Sequence, residues 1–249
     1  IYSFSRGIDF LLAERTRQAG GDTALYTPWN PVNRLTRGFK PGDLIIVAAP
    51  PKTGKTTWCL NICAQQVFQN IPVLFYCLEM RAERLVEKFL QAHYQKEKLN
   101  EEHTKHAQAE YADLPLYFGY SFKKQSLEMV LDLIRDAVRR YDLKLVVFDN
   151  LHFLIRSTNN VNEELGQAVQ GFKLLAEEME IPIIVVAQPR KMDTKNNEMM
   201  CANDIKYSNA VHADCDQMII LHRHRVVGKE GEIDLHTFTR TVEAVKPET

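Results

Sequence analysis

Short apolar runs alternate with longer amphipathic segments along this chain. Apolar runs of this length predict strands that are buried on both faces of a sheet. Because strands that alternate with helices pair in parallel through right-handed crossovers, the pattern predicts an α/β fold, a mostly parallel sheet with helices on both faces. The predicted strands are Leu44–Ala48, Val73–Leu78, Leu145–Phe148, Ile183–Ala187 and Met218–Leu221, with a shorter one at Leu116–Phe118.

The segments between these strands have the spacing of amphipathic helices. The helix after Met80 is predicted to bury Leu85, Val86, Phe89 and Leu90. The other predicted elements are a proline- and glycine-rich loop at Tyr26–Gly42, a helix that begins at Thr56, a solvent-exposed helical excursion within Tyr94–Asp113, helices at Gln125–Tyr141 and Glu163–Glu180, and a hairpin-like end near Gly228–Val242.

The amino-terminal segment is predicted to be a separate helix. Apolar residues of Ser5–Arg17 fall on one side, and Gly20-Gly21-Asp22 then forms a flexible break. We expect residues 1–22 to be a linker helix that docks on its own domain or on a neighbouring subunit, and residues 23–249 to form one larger domain. The first residues are neither an initiator sequence nor a signal peptide, so we expect the chain to begin inside a longer protein.

The composition is that of a soluble globular protein. Of the 249 residues, 45% are hydrophobic and 25% are charged, and the formal net charge is −1. A neutral chain has no overall positive field, so binding to nucleic acid requires a local basic patch or a site between subunits. No apolar run approaches the roughly 18 residues of a membrane-spanning helix, and we expect no membrane partner.

Cysteine usage predicts a reducing intracellular compartment. The five cysteines are scattered, and none forms the Cys-x-x-Cys spacing of a zinc site. We therefore expect buried free thiols. They are Cys59, Cys63, Cys77, Cys201 and Cys215.

A phosphate-binding loop is predicted between the first strand and the first long helix. Gly54 allows the backbone to turn so that its N–H groups and the helix N-terminus face a phosphate. Lys55 supplies a cation for the same oxygens, and the Thr56 hydroxyl can ligate Mg²⁺. The usual first glycine of such loops is Ala49 here. We predict that ATP, or another nucleoside triphosphate, and Mg²⁺ bind at Ala49, Pro50, Pro51, Lys52, Thr53, Gly54, Lys55, Thr56 and Thr57.

Polar residues with suitable chemistry follow three further strands. In parallel sheets, ligands bind beyond the carboxyl ends of the strands. Asp149 follows four apolar residues and is predicted to hold Mg²⁺, directly or through water. Glu79 can deprotonate the water that attacks the γ-phosphate, and Gln188 can sense that phosphate. The predicted catalytic residues are therefore Glu79, Lys55 and Gln188.

An ordered set of motifs resembles the DnaB and Twinkle type of hexameric replicative DNA helicases. That family also carries alanine at the first glycine position of the phosphate loop, and it has a Leu-Glu-Met whose glutamate is the catalytic base. The resemblance implies a RecA-like P-loop domain that forms a ring and moves along single-stranded DNA by nucleotide hydrolysis. The matching segments are Leu44–Thr57, Leu78–Met80, Gln125–Ser126, Val147–Leu151, Pro189–Lys191 and Ala213–Ile219.

The resemblance also implies a DNA-contacting loop at Asp204–Asn209. Lys206 keeps the positive charge that can meet a DNA phosphate. Tyr207 stands where the family has an acidic residue, and Asn209 stands where it has glycine. The predicted DNA-binding residues are Lys206, Tyr207 and Asn209.

The family further implies single-stranded or forked DNA, other copies of the chain and a primase domain or protein as partners. Its arginine finger is typically part of a Lys-x-Arg near the carboxyl end, and Glu243–Thr249 contains no such sequence. Two alternatives stay open. One is an ATPase of the RecA, RadA or KaiC type, and the other is a nucleotide-gated DNA-binding module with weak hydrolysis.

Overall fold

Seven strands form one sheet in the computed structural model, which describes residues 6, 8, 23–96, 98–121, 125–155, 160–188, 214–223 and 240–245. Six of the strands pair in parallel, and the seventh is antiparallel to the sixth. The strands are β1 Leu44–Ala48, β2 Val73–Cys77, β3 Leu116–Tyr120, β4 Leu145–Asp149, β5 Ile183–Ala187, β6 Gln217–Arg223 and β7 Arg240–Val245.

The strand order across the sheet is β3-β2-β4-β5-β1-β6-β7. Four of the five inner strands, β1, β2, β4 and β5, are buried along their whole length. Such burial requires helices on both faces, and it explains why these strands are apolar throughout. The predicted fold class, a mostly parallel α/β sheet covered on both faces, is therefore confirmed.

Six helices lie among the described residues. A short 3-10 turn, Leu151–Leu154, also follows β4 directly. The helices are α1 Asn30–Thr36, α2 Lys55–Val67, α3 Ala82–Tyr94, α4 Glu101–Glu110, α5 Leu127–Tyr141 and α6 Val161–Met179.

Two hydrophobic layers hold the helices against the sheet. Because side chains alternate between the faces of a strand, Ile46 belongs to the layer under α5 and α6, and Val47 belongs to the layer under α2 and α3. Phe172 of α6 fills the first layer, and Trp58 of α2 fills the second. The two layers fix the strand ends between rigid helices.

The helix predictions are confirmed with small shifts at the ends. The Ser126 side chain accepts a hydrogen bond from the Met129 N–H and caps α5, as expected of serine at this position. The inward position predicted for Val86 is wrong, because this side chain is 40% exposed. Leu85 and Phe89 occupy the buried side of α3, and Val86 lies one residue further round the helix.

The loop predicted for Tyr26–Gly42 contains a helix, so that prediction is wrong. Pro31 does not prevent this helix, because it lies in the first turn of α1, where proline is tolerated. The Asn33 side chain ties the helix to Thr27, whose N–H donates to Asn33 Oδ1 at 2.8 Å. Trp29 then stacks on Trp58 of α2, with ring centroids 5.3 Å apart. This packing anchors α1 beside the first strand.

The carboxyl-terminal hairpin prediction is only partly covered by the described residues. Strand β7 returns antiparallel to β6, as a hairpin requires, and it extends beyond the predicted end at Val242. Residues 224–239 lie outside the described residues, as does nearly all of the predicted amino-terminal helix. The division of the chain at residue 22 stays a prediction.

The cysteine prediction holds for the residues that the structure describes. These are buried free thiols, and burial raises the pKa of each. No group of three or more His, Cys, Asp or Glu in this part of the chain is arranged to hold a metal ion. None of its helices combines the length and apolarity needed to cross a membrane. The described thiols are Cys59, Cys63, Cys77 and Cys215, and Cys201 lies outside.

Candidate nucleotide-binding site

The predicted phosphate loop leads from the carboxyl end of β1 to the N-terminus of α2. Gly54 is the N-cap of α2 and has a φ of 101°, which favours glycine because other residues lose energy there. Lys52 also has a positive φ, 62°. These conformations turn the chain sharply, and they leave the first N–H groups of α2 at the mouth of the loop.

Lys55 lies across the mouth of this loop. Its Nζ donates hydrogen bonds to the carbonyl oxygens of Ala49 at 2.8 Å and Pro50 at 3.1 Å. Burial lowers the pKa of Lys55, while the carboxylates of Asp149 and Glu79 act in the opposite direction. The ammonium group therefore stands between the loop carbonyls and two carboxylates, where it can meet phosphate oxygens.

Thr56 and Asp149 are in direct contact. The Thr56 hydroxyl donates to Asp149 Oδ2 at 2.7 Å. Asp149 ends β4 and is 1% exposed. Burial raises the pKa of Asp149 to about 6, the negative charge of Glu79 adds to the rise, and the Thr56 hydrogen bond and Lys55 oppose it. The two oxygen ligands suit Mg²⁺, which prefers oxygen donors and would compensate the buried charge.

Glu79 stands two residues beyond β2, on the strand adjacent to Asp149. Cys77, the last residue of β2, is in register with Asp149. Its sulfur accepts a hydrogen bond from the Met80 N–H at 3.3 Å, which holds the turn that carries Glu79. The Glu79 side chain is exposed, and the Asn150 side-chain amide donates to its Oε2 at 2.9 Å. An oriented, accessible carboxylate is what a general base requires.

Gln188 follows β5, the strand that lies between β4 and β1. Its backbone N–H donates to His152 Nδ1 at 3.3 Å. Gln188 therefore lies at the same edge of the sheet as the phosphate loop, Asp149 and Glu79. The structure brings all four predicted strand ends to one edge.

Sequence reasoning missed Asn150, His152 and Cys77. Each contacts a predicted site residue or the backbone next to one. The one available signal was position, because Asn150 and His152 directly follow the Asp149 motif. Their partners lie on other strands, and only the strand order shows that they meet.

The predicted DNA-binding residues lie outside the described residues. These are Lys206, Tyr207 and Asn209. Their role stays a prediction.

A family of known proteins matches this chain. The DnaB-like helicase C-terminal domain family matches residues 24–244. This chain belongs to that family. The family resemblance that the motifs predicted is thus confirmed, and the DnaB-like assignment favours the helicase interpretation over a RecA, RadA or KaiC type of ATPase.

Curated replicative DNA helicases match the sequence of this DnaB-like chain over most of its length. The replicative DNA helicase DnaB of Geobacillus stearothermophilus is 30% identical over 228 residues, which are 86% of this chain and 50% of that protein. The chain spans about half the length of the curated relatives it matches.

Two solved structures show the same fold. One is an ATPase domain with a TM-score of 0.75 and 18% identity, matched over 97% of this chain and 95% of its own. The other is a DnaB-like replicative helicase, studied with its interactions with primase, with a TM-score of 0.73 and 16% identity over 97% of this chain and 64% of its own. The RecA-like P-loop core predicted from the sequence is confirmed.

Proposed function

We propose that this chain is the ATP-hydrolysing motor domain of a replicative DNA helicase, which moves along single-stranded DNA and unwinds duplex as a hexameric ring. The observation that carries the proposal is the contact between Thr56 of the phosphate loop and Asp149, with Glu79 just beyond the end of the adjacent strand β2. These groups supply the parts that phosphoryl transfer to water needs, in a chain of the DnaB-like family.

The phosphate loop would bind the triphosphate of ATP. The N–H groups at the start of α2 and the Lys55 ammonium would face the β- and γ-phosphates. Thr56 and Asp149 would hold Mg²⁺, since both offer oxygen ligands at one point. When bound, Mg²⁺ neutralises charge on the phosphate oxygens. The flanking loop residues, from Ala49 to Thr57, shape the cradle around these groups.

Glu79 would act as the general base. It accepts a proton from the water that attacks the γ-phosphorus, the bond between that phosphorus and the bridging oxygen breaks, and ADP and inorganic phosphate form. Asn150 orients the carboxylate through Oε2. Gln188 would contact the γ-phosphate and report its loss to the segment that follows β5.

DNA would bind through the segment that contains Lys206, Tyr207 and Asn209. Contacts to the backbone phosphates are independent of sequence, which suits a protein that moves along DNA. A ring concentrates a few basic residues in one channel, so the formal net charge of −1 is compatible with DNA binding. A primase domain or protein is the further partner we infer, and the free thiols support a reducing intracellular compartment.

The first prediction concerns Glu79→Gln, tested by steady-state ATP hydrolysis with and without single-stranded DNA. We expect single-stranded DNA to stimulate turnover by the wild-type chain. The substitution keeps the size of the side chain but removes its basicity, so kcat should fall by about 10²- to 10⁴-fold while ATP still binds. The matched control is Glu83→Gln, an exposed glutamate in the first turn of α3, which should keep wild-type turnover.

Other outcomes identify the alternatives. Wild-type turnover by Glu79→Gln would contradict the assignment of the base, whereas weak turnover by both chains with ATP binding intact would favour a nucleotide-gated binding module. Closed rings and unwinding of forked duplex support the helicase, whereas filaments that pair homologous strands would indicate a recombinase.

A further inference from the structure

We propose that Asn150 and His152 are positioning residues that link the base Glu79 to Gln188 through a chain of hydrogen bonds. This inference deepens the proposed function and rests on it. The link is formed by the turn that follows β4. It joins the ends of β2 and β5, the two strands on either side of β4.

Asn150 forms the first half of the link. It is fully buried, at 0% exposure, although it lies at a strand end beside an accessible carboxylate. Its Nδ2 donates to Glu79 Oε2 at 2.9 Å, and its Oδ1 accepts the His152 N–H at 3.1 Å. An asparagine amide offers both a donor and an acceptor, and both are used here. The contact occupies one carboxylate oxygen, so the other can accept a proton from water.

His152 forms the second half. Its Nδ1 accepts the backbone N–H of Gln188 at 3.3 Å, so the neutral ring carries its proton on Nε2. The 3-10 turn Leu151–Leu154 sets this geometry, and Leu151 and Leu154 are both buried in the layer under α5 and α6. The turn therefore has little freedom to move independently of the sheet.

The two halves couple the responses of two strand ends. When Gln188 moves towards or away from a γ-phosphate, its N–H displaces the His152 ring. Through Asn150, this displacement changes the orientation of the Glu79 carboxylate. Hydrolysis depends steeply on such alignment, and a displacement of about 1 Å can reduce the rate about 10²-fold. The base is thereby correctly oriented only when Gln188 is in place.

Asn150→Asp tests the first half in the full chain. The aspartate keeps an oxygen for the His152 N–H but replaces the donor to Glu79 with a second oxygen. We expect kcat for DNA-stimulated ATP hydrolysis to fall about 10- to 100-fold, while the Kd for a non-hydrolysable ATP analogue changes less than about threefold. In a Glu79→Gln background, single-turnover hydrolysis should show no further loss, because the positioned group is already absent.

His152→Leu and His152→Gln test the second half, and they decide the question if Asn150→Asp does not fold. Leucine removes the acceptor for the Gln188 N–H, whereas the Oε1 of glutamine can replace it. We expect leucine to lower kcat by about 3- to 10-fold with the Kd kept, and glutamine to restore most of the rate.

If the wild type hydrolyses ATP, any of three results would overturn this inference alone. The first is an unchanged kcat in the Asn150 and His152 variants, and the second is an equal loss of kcat and of analogue binding. The third is that Asn150→Asp lowers the hydrolysis rate as much in the Glu79→Gln background as in the wild type. A wild-type chain that binds the analogue but shows no turnover would instead overturn the proposed function, and the inference with it.

Discussion

At the scale of single residues, Asp149 is the site residue whose environment conflicts most with its charge. It is a carboxylate at 1% exposure, and burial raises its pKa to about 6. Although Lys55 lies nearby, ionisation of this group without bound metal costs free energy in the folded chain. The site therefore stores an unfavourable charge that Mg²⁺ would relieve.

Asp149→Asn should accordingly stabilise the chain above pH 6 in the absence of nucleotide and metal. The folded pKa of about 6 lies above the ordinary aspartate pKa of 3.8, so the native state binds the proton more tightly. The free energy of unfolding therefore falls as pH rises through this window. We expect Asp149→Asn to be more stable than wild type by about 1 to 3 kcal/mol at pH 8, with the difference lost below about pH 4. Thermal melts across this range measure it.

The control for this comparison is Asp142→Asn. Asp142 is an exposed aspartate whose partner, Lys144 at 2.6 Å, is also exposed. Its substitution should leave the pH dependence of stability close to that of wild type. An Asp149→Asn chain that is less stable than wild type at pH 8 would contradict the prediction.

The individual site residues could be predicted where they follow an apolar run directly. Asp149 and Gln188 are of this kind, because an apolar run followed directly by a polar residue is visible in the sequence as the end of a buried strand. Asn150 and His152 could not be assigned a role in this way. Their contacts depend on β4 lying between β2 and β5, and the order of strands in a sheet differs from their order along the chain.

At the scale of elements, the turn between β1 and α2 depends on one glycine. Gly54→Ala places a side chain at a φ of 101° and should lower stability by about 1 to 2 kcal/mol. It should also weaken ATP binding, because the N–H groups of the loop are displaced. Equilibrium unfolding and titration with a fluorescent ATP analogue measure the two effects.

Gly42→Ala is the matched control for this prediction. Gly42 also has a positive φ, 85°, and its added Cβ meets nothing closer than 3.8 Å. The stability loss should be similar, but ATP binding should stay at the wild-type level, since Gly42 precedes β1 at the opposite end from the phosphate loop. Equal losses of binding in both variants would show that Gly54 acts through global stability alone.

The elements that could be predicted have a strong periodicity of apolar residues. The element that was missed, helix α1, is short. Helix α5 follows its apolar stripe closely, and Val130, Ile134 and Val138 are all buried. Helix α1 has seven residues, and it is held by the Thr27–Asn33 hydrogen bonds and the stacking of Trp29 on Trp58. Such tertiary contacts leave no periodic signal, so local composition alone indicated a loop.

At the scale of the whole molecule, the polar groups of the nucleotide site and the polar groups that stabilise the fold lie at opposite ends of the sheet. The nucleotide chemistry lies at the carboxyl ends of the strands. Near the start of β1, Lys173 of α6 contacts Asp216 at 2.7 Å, and Asp216 accepts the Leu44 N–H. These partly buried contacts join α6, β1 and β6, so they stabilise the fold at a distance from the site.

The proposed ring, with its ATP sites between adjacent subunits, would make the activity of one subunit depend on its neighbours. Mixing Lys55→Ala chains into wild-type chains should therefore reduce DNA-stimulated turnover more steeply than the fraction of variant added. Lys55→Ala removes the ammonium group that would meet the phosphates, and in the proposed ring each inactive subunit would also slow the adjacent one. Turnover that falls in simple proportion to the mixture would indicate independent sites. Lys105→Ala, an exposed lysine of α4, is the control for the mixing itself.

The buried thiols in the two elements that lead to the site can report when these elements leave the core. Cys59 and Cys63 in α2 and Cys77 in β2 are fully covered, and their raised pKa values keep them as unreactive thiols. An alkylating reagent can reach them only when the helix that carries the phosphate loop, or the strand that carries the base, separates from the core. The rates of alkylation at Cys59, Cys63 and Cys77 therefore report how often the core beside the phosphate loop opens, without any engineered probe.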